Sequence, residues 1–293
     1  MLGTIEKTSN PWEEMCQRWE LFAPPGRPSS QDIQIYKQYI DEIIKEKRQN
    51  GQKKFHVLIL GATPEIRDML ATYDNIQVVL VDITIDMILA MTELMQKKPK
   101  NEIWIRSNWI TVPLQSDMFD VIISDLVICN IDPEKHEDFF LNIIKLLKID
   151  GYWINRIYCI DENTSIRSME QLFDEYKNKE ELTNKDVNNF RSMAGLNYWD
   201  PQTGYLNWMD MLKEMDKYKK NGEYVHKEYV IKELLDQVYE LFYPFNKKYW
   251  IEKRRKTERL FQNYFVIKQI YHDKTVIPLR EKGYYIYDMI PKR

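Results

Sequence analysis

Residues 55–70 read FHVLILGATPEIRDML, and this stretch decides the fold class. The apolar run HVLIL is typical of a short strand that is buried on both faces of a parallel sheet. Gly61 permits a tight turn and lets a ligand approach the backbone closely. Thr63 suits the N-cap of a helix and Pro64 its first position, so we predict a helix that runs to residue 73. The stretch therefore predicts a strand, a turn and a helix, with a ligand bound at the turn.

The same alternation continues to residue 160. A helix at 30–49 comes first, because Ser29 provides an N-cap and Asp32 an acidic first turn ahead of apolar residues at helical spacing. Further helices are predicted at 63–73, 84–96 and 133–148, and buried strands at 56–60, 76–82, 102–105, 119–125 and 151–160. Strands that alternate with helices of this length indicate an α/β fold with a parallel sheet and right-handed crossovers.

The region 161–258 breaks this alternation and predicts helices and loops rich in Trp, Tyr, Met and Lys. Its clearest helix, at 226–243, carries one apolar stripe formed by Val230, Leu234, Val238 and Leu241. Large apolar side chains in this region could line a pocket or form the core of the region itself, and both interpretations stay open for Trp199, Tyr205, Trp208, Met209 and Met211.

Two further strands, at 264–272 and 284–290, close the predicted sheet. Only about eleven residues separate them and no helical pattern fits between, so they should pair antiparallel. A nicotinamide-binding Rossmann domain would instead continue with a crossover helix and a parallel strand. The predicted organisation is an N-terminal lid segment and helix at 1–50, a Rossmann-like cofactor-binding core at 51–160, a helical cap at 161–258 and closing antiparallel strands at 259–293.

The charge balance argues against a dedicated nucleic-acid-binding protein. The formal net charge is −3 and the pI is near 5.9, whereas such proteins tend to be basic. The segment KKYWIEKRRK at 247–256 is the local exception. We interpret it as a solvated helix face, and a patch that follows phosphates is the alternative.

Cysteine and histidine usage indicates a cytoplasmic protein without a metal site. The three cysteines are odd in number and widely spaced, which favours reduced thiols over disulfides. No histidine pair or cysteine cluster has metal-ligand spacing, so no metal is expected. The N-terminus lacks the pattern of a secretory signal and no apolar run is long enough to span a bilayer, so we expect no membrane association.

Two acidic residues restrict the ligand that the turn at Gly61 can hold. Glu65 lies in the first helical turn, where it would oppose a pyrophosphate, so the site favours a ligand that is neutral or cationic there. Asp82 ends the second strand, twenty-one residues after Gly61, and its two oxygens can accept both hydroxyls of a ribose. S-adenosylmethionine has a ribose, a cationic sulfonium and no pyrophosphate.

Three motifs carry a resemblance to a known family: LGATPE at 60–65, Trp19 with PPGRPS at 24–29, and Asn108-Trp109 with Pro113-Leu114 after the third strand. With these motifs the chain resembles the class I S-adenosylmethionine-dependent methyltransferases, a seven-stranded fold that ends in an antiparallel strand. It is similar to the branch whose first motif is LGxTPE and which carries an upstream PPGRPS segment. The resemblance covers roughly residues 15–160 and 258–290.

This resemblance implies S-adenosylmethionine as the cofactor and methyl transfer to a small-molecule or peptide acceptor. Ile83, Met87 and Trp109 would enclose the adenine, although each also suits an ordinary core position. Asn108 would bind the adenine through its amide, and Asp125, at the end of the fourth strand, would face the transferred methyl or serve only as a turn residue. The complete predicted cofactor site is Gly61, Ala62, Thr63, Glu65, Asp82, Ile83, Met87, Asn108, Trp109, Asp125 and Leu126.

Four further residues are candidates for the acceptor site or the lid. Arg27 could clamp a carboxylate or be solvated, and Tyr36 suits the core better than a ligand site. Arg156, on a buried strand, is either paired structurally or reaches into the cleft, and Tyr158 points the same way. No catalytic base is assigned, because an activated sulfonium mainly requires alignment and exclusion of water.

Two other functions stay open. An RNA or DNA acceptor is the second choice, because the fourth strand continues as SDLV and lacks the Asp/Asn-Pro-Pro-aromatic motif that holds a flipped base. The third is a protein that binds S-adenosylmethionine without catalysis and acts as a partner or sensor. The sequence does not indicate an oligomeric state.

Overall fold

The computed structural model describes residues 12, 15–99, 101–221, 229–242, 247–272 and 282–293. Nine α-helices lie within these ranges: α1 Ser30–Gln49, α2 Pro64–Leu70, α3 Ile85–Glu93, α4 His136–Leu146, α5 Met169–Tyr176, α6 Asn184–Gly195, α7 Trp208–Asn221, α8 Tyr229–Phe242 and α9 Arg254–Tyr264. Ten strands lie within them: β1 Phe55–Leu60, β2 Ile76–Asp82, β3 Glu102–Arg106, β4 Phe119–Asp125, β5 Leu147–Ile160, β6 Tyr205–Asn207, β7 Lys248–Trp250, β8 Glu252–Lys253, β9 Phe265–His272 and β10 Lys282–Pro291.

One mostly parallel sheet organises the molecule. Its strand order is β3-β2-β1-β4-β5-β10-β9, and the short strand β8 pairs in addition with the end of β5. Strands β1 to β5 pair in parallel, whereas β10 runs antiparallel to both β5 and β9. The predicted α/β fold with a closing antiparallel hairpin is confirmed. The eighth strand was not predicted, because two residues are too few to show a strand pattern.

The register of the central strands brings the predicted site residues to one edge. Leu60, the last residue of β1, pairs with Val81 of β2 on one side and with Ser124 of β4 on the other. The residues that follow Leu60, Val81 and Ser124 lie at the carboxyl edge of the sheet, where open α/β folds bind ligands. Gly61, Asp82 and Asp125 are therefore neighbours.

Helix α1 begins as predicted, with a complete capping box. The Ser29 hydroxyl accepts from the amide of Asp32 at 3.0 Å, and the Asp32 carboxylate accepts from the amide of Ser29 at 2.9 Å. Other boundaries differ from the prediction. The helix after Gly61 ends at Leu70 instead of residue 73. Residues 147 and 148, predicted as the end of a helix, belong to strand β5, which begins at Leu147 instead of residue 151.

Two predictions for the C-terminal half are wrong in detail. The buried stripe of α8 is Ile231, Leu234, Leu235 and Val238, whereas Val230 is partly exposed. Residues 226–228 and 243 of the predicted helix, and the Leu241 side chain, lie outside the described part of the chain. The basic segment 247–256 is not a helix face: it forms β7, β8 and the start of α9, and Trp250, Ile251 and Glu252 within it are buried.

Apolar layers cover both faces of the sheet. Alternate residues of β1 belong to different clusters: Leu58 and Leu60 pack in one, and Val57 and Ile59 in the other. This explains why residues 57–60 are apolar at every position. None of the helices in the described ranges has the length and apolar composition that a bilayer crossing needs.

Candidate functional site

A cavity opens at the carboxyl edge of the sheet. Its walls come from the ends of β1, β2 and β4, from α3, and from the segment before α1. The far wall comes from β5, α6, α7, β7 and β10. Ten of the predicted residues line it: Gly61, Ala62, Thr63, Asp82, Ile83, Met87, Trp109, Asp125, Leu126 and Tyr158. The structure thus brings most of the predicted cofactor residues into one space.

Gly61 keeps the floor of this cavity open. Its φ is +94°, in the left-handed region that favours glycine, and a Cβ built there would meet nothing within 4 Å. Its amide donates to the carbonyl of Val81 at 2.8 Å, which fixes the turn after β1 against the end of β2. A ligand can therefore approach the backbone at 61 and 62 directly.

Asp82 is a buried carboxylate on the β2 side of the cavity. Its side chain accepts from the amide of Thr84 at 3.0 Å, and the residue is only 6% exposed. Burial raises the pKa of Asp82 to about 6, although the amides of Thr84 and Ile83 oppose this. Ligand hydroxyls that donate to this carboxylate would compensate for the water it has lost.

Apolar side chains flank Asp82. Met87 is buried on α3, Ile83 is 43% exposed, and both line the cavity. The indole nitrogen of Trp109 donates to the carbonyl of Val81 at 2.8 Å, which holds its ring against the same edge. A planar, neutral ligand group fits between such walls.

Asp125 and Arg156 form a buried ion pair below the cavity. Arg156 Nε donates to Asp125 Oδ1 at 2.6 Å, and Arg156 Nη1 lies 3.1 Å from the carbonyl of Pro25 and 3.5 Å from Asp32 Oδ2. Burial alone would lower the pKa of Arg156, but Asp125 and Asp32 raise it, so the guanidinium stays charged. Of the two interpretations left open, Arg156 is the structurally paired residue, and it ties PPGRPS and the start of α1 to β4 and β5.

Thr63 occupies the N-cap position of α2, but its side chain makes no capping hydrogen bond. Its hydroxyl lies 3.4 Å from Asp125 Oδ2 instead. The prediction of a side-chain cap at Thr63 is therefore wrong, and Pro64 defines the helix start alone.

Arg27 and Glu65 bind each other and do not line the cavity. Arg27 Nε donates to Glu65 Oε1 at 2.6 Å, and both side chains are about four-fifths buried, with 18% and 24% exposed. Burial raises the pKa of Glu65, whereas Arg27 lowers it. The pair is close to neutral, which weakens the argument that Glu65 alone repels a pyrophosphate.

Tyr36 and Asn108 also lie outside the cavity wall. Tyr36 is fully buried, and its hydroxyl lies 3.4 Å from the carbonyl of Ser124, as a core residue would. The amide oxygen of Asn108 accepts from the backbone of Ile110 at 2.9 Å, so it fixes the turn before Trp109. Direct contact of Asn108 with adenine stays a prediction.

Most of the far half of the cavity was not predicted from the sequence, and Tyr158 and Trp208 are the exceptions. Tyr158 of β5 stacks on its register partner Tyr284 of β10, with ring centroids 4.8 Å apart. The other residues of this half come from distant parts of the chain: Arg191, Ser192, Trp208, Tyr249 and Ile251. The segment before α1 adds Trp12, Met15, Trp19 and Phe22 to the walls of the cavity. Of the five aromatic and methionine residues predicted to wall a pocket, only Trp208 lines the cavity. Met211 is fully buried core, and Trp199 donates to the carbonyl of Ile251.

A family model described as a methyltransferase domain matches residues 61–224, which is more than half of the chain. The chain belongs to this methyltransferase domain family. It is an S-adenosylmethionine-dependent methyltransferase, as its fold and motifs predict. No curated protein sequence matches the chain significantly.

A solved structure agrees on the fold. A protein of Rhodobacter sphaeroides described as a putative zinc-dependent alcohol dehydrogenase superposes with a TM-score of 0.56 and 12% identity, covering 97% of this chain and 100% of that one. A methyltransferase of Methanosarcina mazei matches with a TM-score of 0.48 and 12% identity, over 82% of this chain and 93% of that one. In the described residues of our chain, no group of three or more His, Cys, Asp or Glu side chains is arranged to hold a metal ion.

Proposed function

We propose that this enzyme transfers the methyl group of S-adenosylmethionine to a small-molecule or peptide acceptor bound in the same cavity. One observation carries the proposal. A single cavity joins the predicted cofactor edge, at Gly61 and Asp82, to a second wall of aromatic and polar side chains that includes Tyr158 and Tyr284. Donor and acceptor can therefore be held side by side in one protected space.

The residues at the cofactor edge fit S-adenosylmethionine. When bound, this group supplies a methyl already activated on a sulfonium. Asp82 would accept from the ribose hydroxyls, while Met87, Ile83 and Trp109 would enclose the adenine. The open backbone at Gly61 would lie along the amino acid tail. For Glu65 and Asn108 we propose supporting roles, because each holds a neighbouring element instead of facing the cavity.

The N-terminal segment within 1–50 and the cap at 161–258 would complete the enclosure. Trp12, Trp19 and Phe22 from the first region and Trp208 from the second line the cavity, which supports a lid and an acceptor cap. These apolar walls exclude water and favour alignment of the acceptor with the methyl. We also propose membership of the LGxTPE branch, since the carbonyl of Pro25 in PPGRPS holds Arg156 at the base of the site.

The main argument for a nucleic-acid acceptor no longer holds. The basic segment 247–256 was the reason to consider it, and this segment is divided between two strands and a helix start, with its centre buried. A continuous basic groove would be needed to follow a phosphate backbone.

Calorimetric titration with S-adenosylhomocysteine, with NADH as the comparison, tests the proposal. We expect binding of S-adenosylhomocysteine in the micromolar range and no heat with NADH. Formation of S-adenosylhomocysteine from S-adenosylmethionine with small organic acceptors, and none with total RNA, would support the acceptor class. Binding of NADH alone, or salt-sensitive turnover with RNA, would refute it.

A further inference from the structure

Lys247 lies beside the cavity, directly before strand β7. Its ammonium nitrogen is 4.9 Å from the centre of the Trp12 ring, and Trp12 is one of the residues that line the cavity. Lys247 itself is partly buried. An ammonium at this distance is attracted to the face of an indole, and more strongly where water is scarce. Lys247 therefore joins the region 161–258 to the N-terminal segment at the cavity wall.

Alternation along the chain places Lys247 on the cavity side of β7. The next residue, Lys248, lies over the ring of Tyr205 on β6, 5.6 Å from its centre. The residue after that, Tyr249, lines the cavity. Successive side chains of an extended segment point to opposite sides, so Lys247 and Tyr249 share one side and Lys248 lies on the other. The contact of Lys247 with Trp12 agrees with this placement.

Lys247 and Asp82 act on each other through space. Burial lowers the pKa of Lys247 to about 8, and three acidic groups oppose this: Asp132, Asp82 and Cys129. Burial raises the pKa of Asp82, and Lys247 opposes this together with the amides of Thr84 and Ile83. No ion pair joins Lys247 to Asp82 within the described part of the chain, so the carboxylate is still able to bind ligand hydroxyls.

We infer that Lys247 is a positioning residue for the cofactor: it keeps Asp82 charged for the ribose hydroxyls and holds Trp12 over the same end of the cavity. The inference rests on the proposed function, because it describes how the cofactor of that cavity is held. A charged carboxylate accepts stronger hydrogen bonds than a neutral acid. An indole over this end excludes water, which strengthens the same hydrogen bonds.

Calorimetric titration with S-adenosylhomocysteine from pH 5 to pH 7.5 tests the inference. In the wild type, affinity should fall as Asp82 takes up a proton, with a midpoint near pH 6. Lys247→Met removes a cation that favours the charged carboxylate, so this midpoint should move to higher pH by about 0.5 unit or more. At pH 7 the variant should also bind about 3- to 30-fold more weakly. An unchanged midpoint would overturn the inference, whatever the affinity.

The neighbouring lysine supplies a matched control. Lys248→Met removes the same charge from the opposite side of β7, where the side chain lies over Tyr205, and should change neither the affinity nor the midpoint. Lys247→Arg keeps the charge and should keep the wild-type midpoint. An equal shift of the midpoint in Lys247→Met and Lys248→Met would show a general effect of net charge and overturn the inference.

Trp12→Leu tests the aromatic contact separately. It should weaken S-adenosylhomocysteine binding and keep the midpoint near that of the wild type, because it removes a ring and no charge. The double variant with Lys247→Met should lose less affinity than the sum of the two single losses, since both remove the same contact. Fully additive losses would overturn the part of the inference that concerns Trp12.

The basic side of the pH profile gives a second measurement, which does not depend on the folding of Lys247→Met. Lys247 should lose its proton near pH 8, so wild-type affinity should fall about 2-fold or more between pH 7 and pH 8.5, and Lys247→Arg should lack this decrease. The same decrease in both proteins would overturn the inference alone. Failure of the wild type to bind S-adenosylhomocysteine at any pH would instead refute the proposed function, and the inference would fall with it.

Discussion

Replacing Asp82 by asparagine should stabilise the ligand-free protein and weaken its affinity for S-adenosylhomocysteine. Both effects have the same cause: a carboxylate that is 6% exposed and has lost most of its water. Burial raises the pKa of Asp82 from 3.8 to about 6. An asparagine of nearly the same shape carries no charge, and its oxygen can still accept from the amide of Thr84.

The size of the stability effect follows from linkage. A raised pKa in the folded state means that Asp82 favours folding at low pH, and this contribution is lost as the pH rises towards about 6. Each unit of difference between the folded and unfolded pKa corresponds to about 1.4 kcal/mol. The shift from 3.8 to about 6 therefore means that the charged carboxylate destabilises the folded protein by about 3 kcal/mol above pH 7. The advantage of Asp82→Asn should therefore grow by about 1.4 kcal/mol between pH 5 and pH 8.

The size of the binding effect follows from the hydrogen bonds. A hydrogen bond to a charged group contributes about 1.5–3 kcal/mol, so loss of the charge should weaken S-adenosylhomocysteine binding by about 10- to 100-fold at pH 8. In the wild type, affinity should fall as the pH drops below about 6, because protonation of Asp82 removes the same charge. The variant should lack this decrease.

Urea denaturation and calorimetric titration at pH 5 and pH 8 measure both effects. Asp138→Asn is a suitable control, because Asp138 is an exposed aspartate at the start of α4. Unchanged affinity in Asp82→Asn would show that the cofactor pocket is assigned wrongly. A variant that is less stable than wild type at pH 8 would refute the burial argument, whatever its affinity.

Three further variants test other parts of the site. Gly61→Ala should lower the free energy of unfolding by about 1–2 kcal/mol in urea denaturation, because φ at this position is +94°. Its affinity for S-adenosylhomocysteine should also fall, because the added methyl group enters the cavity. No change in either quantity would contradict the open turn. Arg27→Met should destabilise the protein by about 1–3 kcal/mol, because it leaves Glu65 buried and charged. The double variant with Glu65→Gln should recover most of this lost stability. Additive losses of stability would mean that the two side chains do not interact. Asp288→Asn should raise the melting temperature at pH 8 more than at pH 5, because burial raises the pKa of Asp288 to about 7. Equal increases in melting temperature at the two pH values would contradict this raised pKa.

The sequence predicted the fold and the edge of the sheet where Gly61 and Asp82 meet, because both depend on local patterns. Apolar runs, helical spacing and the Ser29 capping box depend on residues within a few positions of one another. Gly61 and Asp82 could be identified as neighbours because each directly follows or ends a strand, and parallel strands end at the same edge. The short strand β8 and the division of 247–256 were missed, because their structure depends on which strand lies beside them.

Only the tertiary structure decided which charges meet. Arg27 forms an ion pair with Glu65. Arg156 forms one with Asp125 and also donates to the carbonyl of Pro25. Each of these contacts joins segments that are far apart in the chain. The far wall of the cavity is likewise formed by residues that are far apart in the chain. Arg191 lies on a helix of the region 161–258, and it lines the same cavity as Tyr158, Tyr249 and Tyr284 only because that region packs over the sheet. Side-chain contacts depend on distance in space, so a pattern within one segment predicts its own conformation and not its partner.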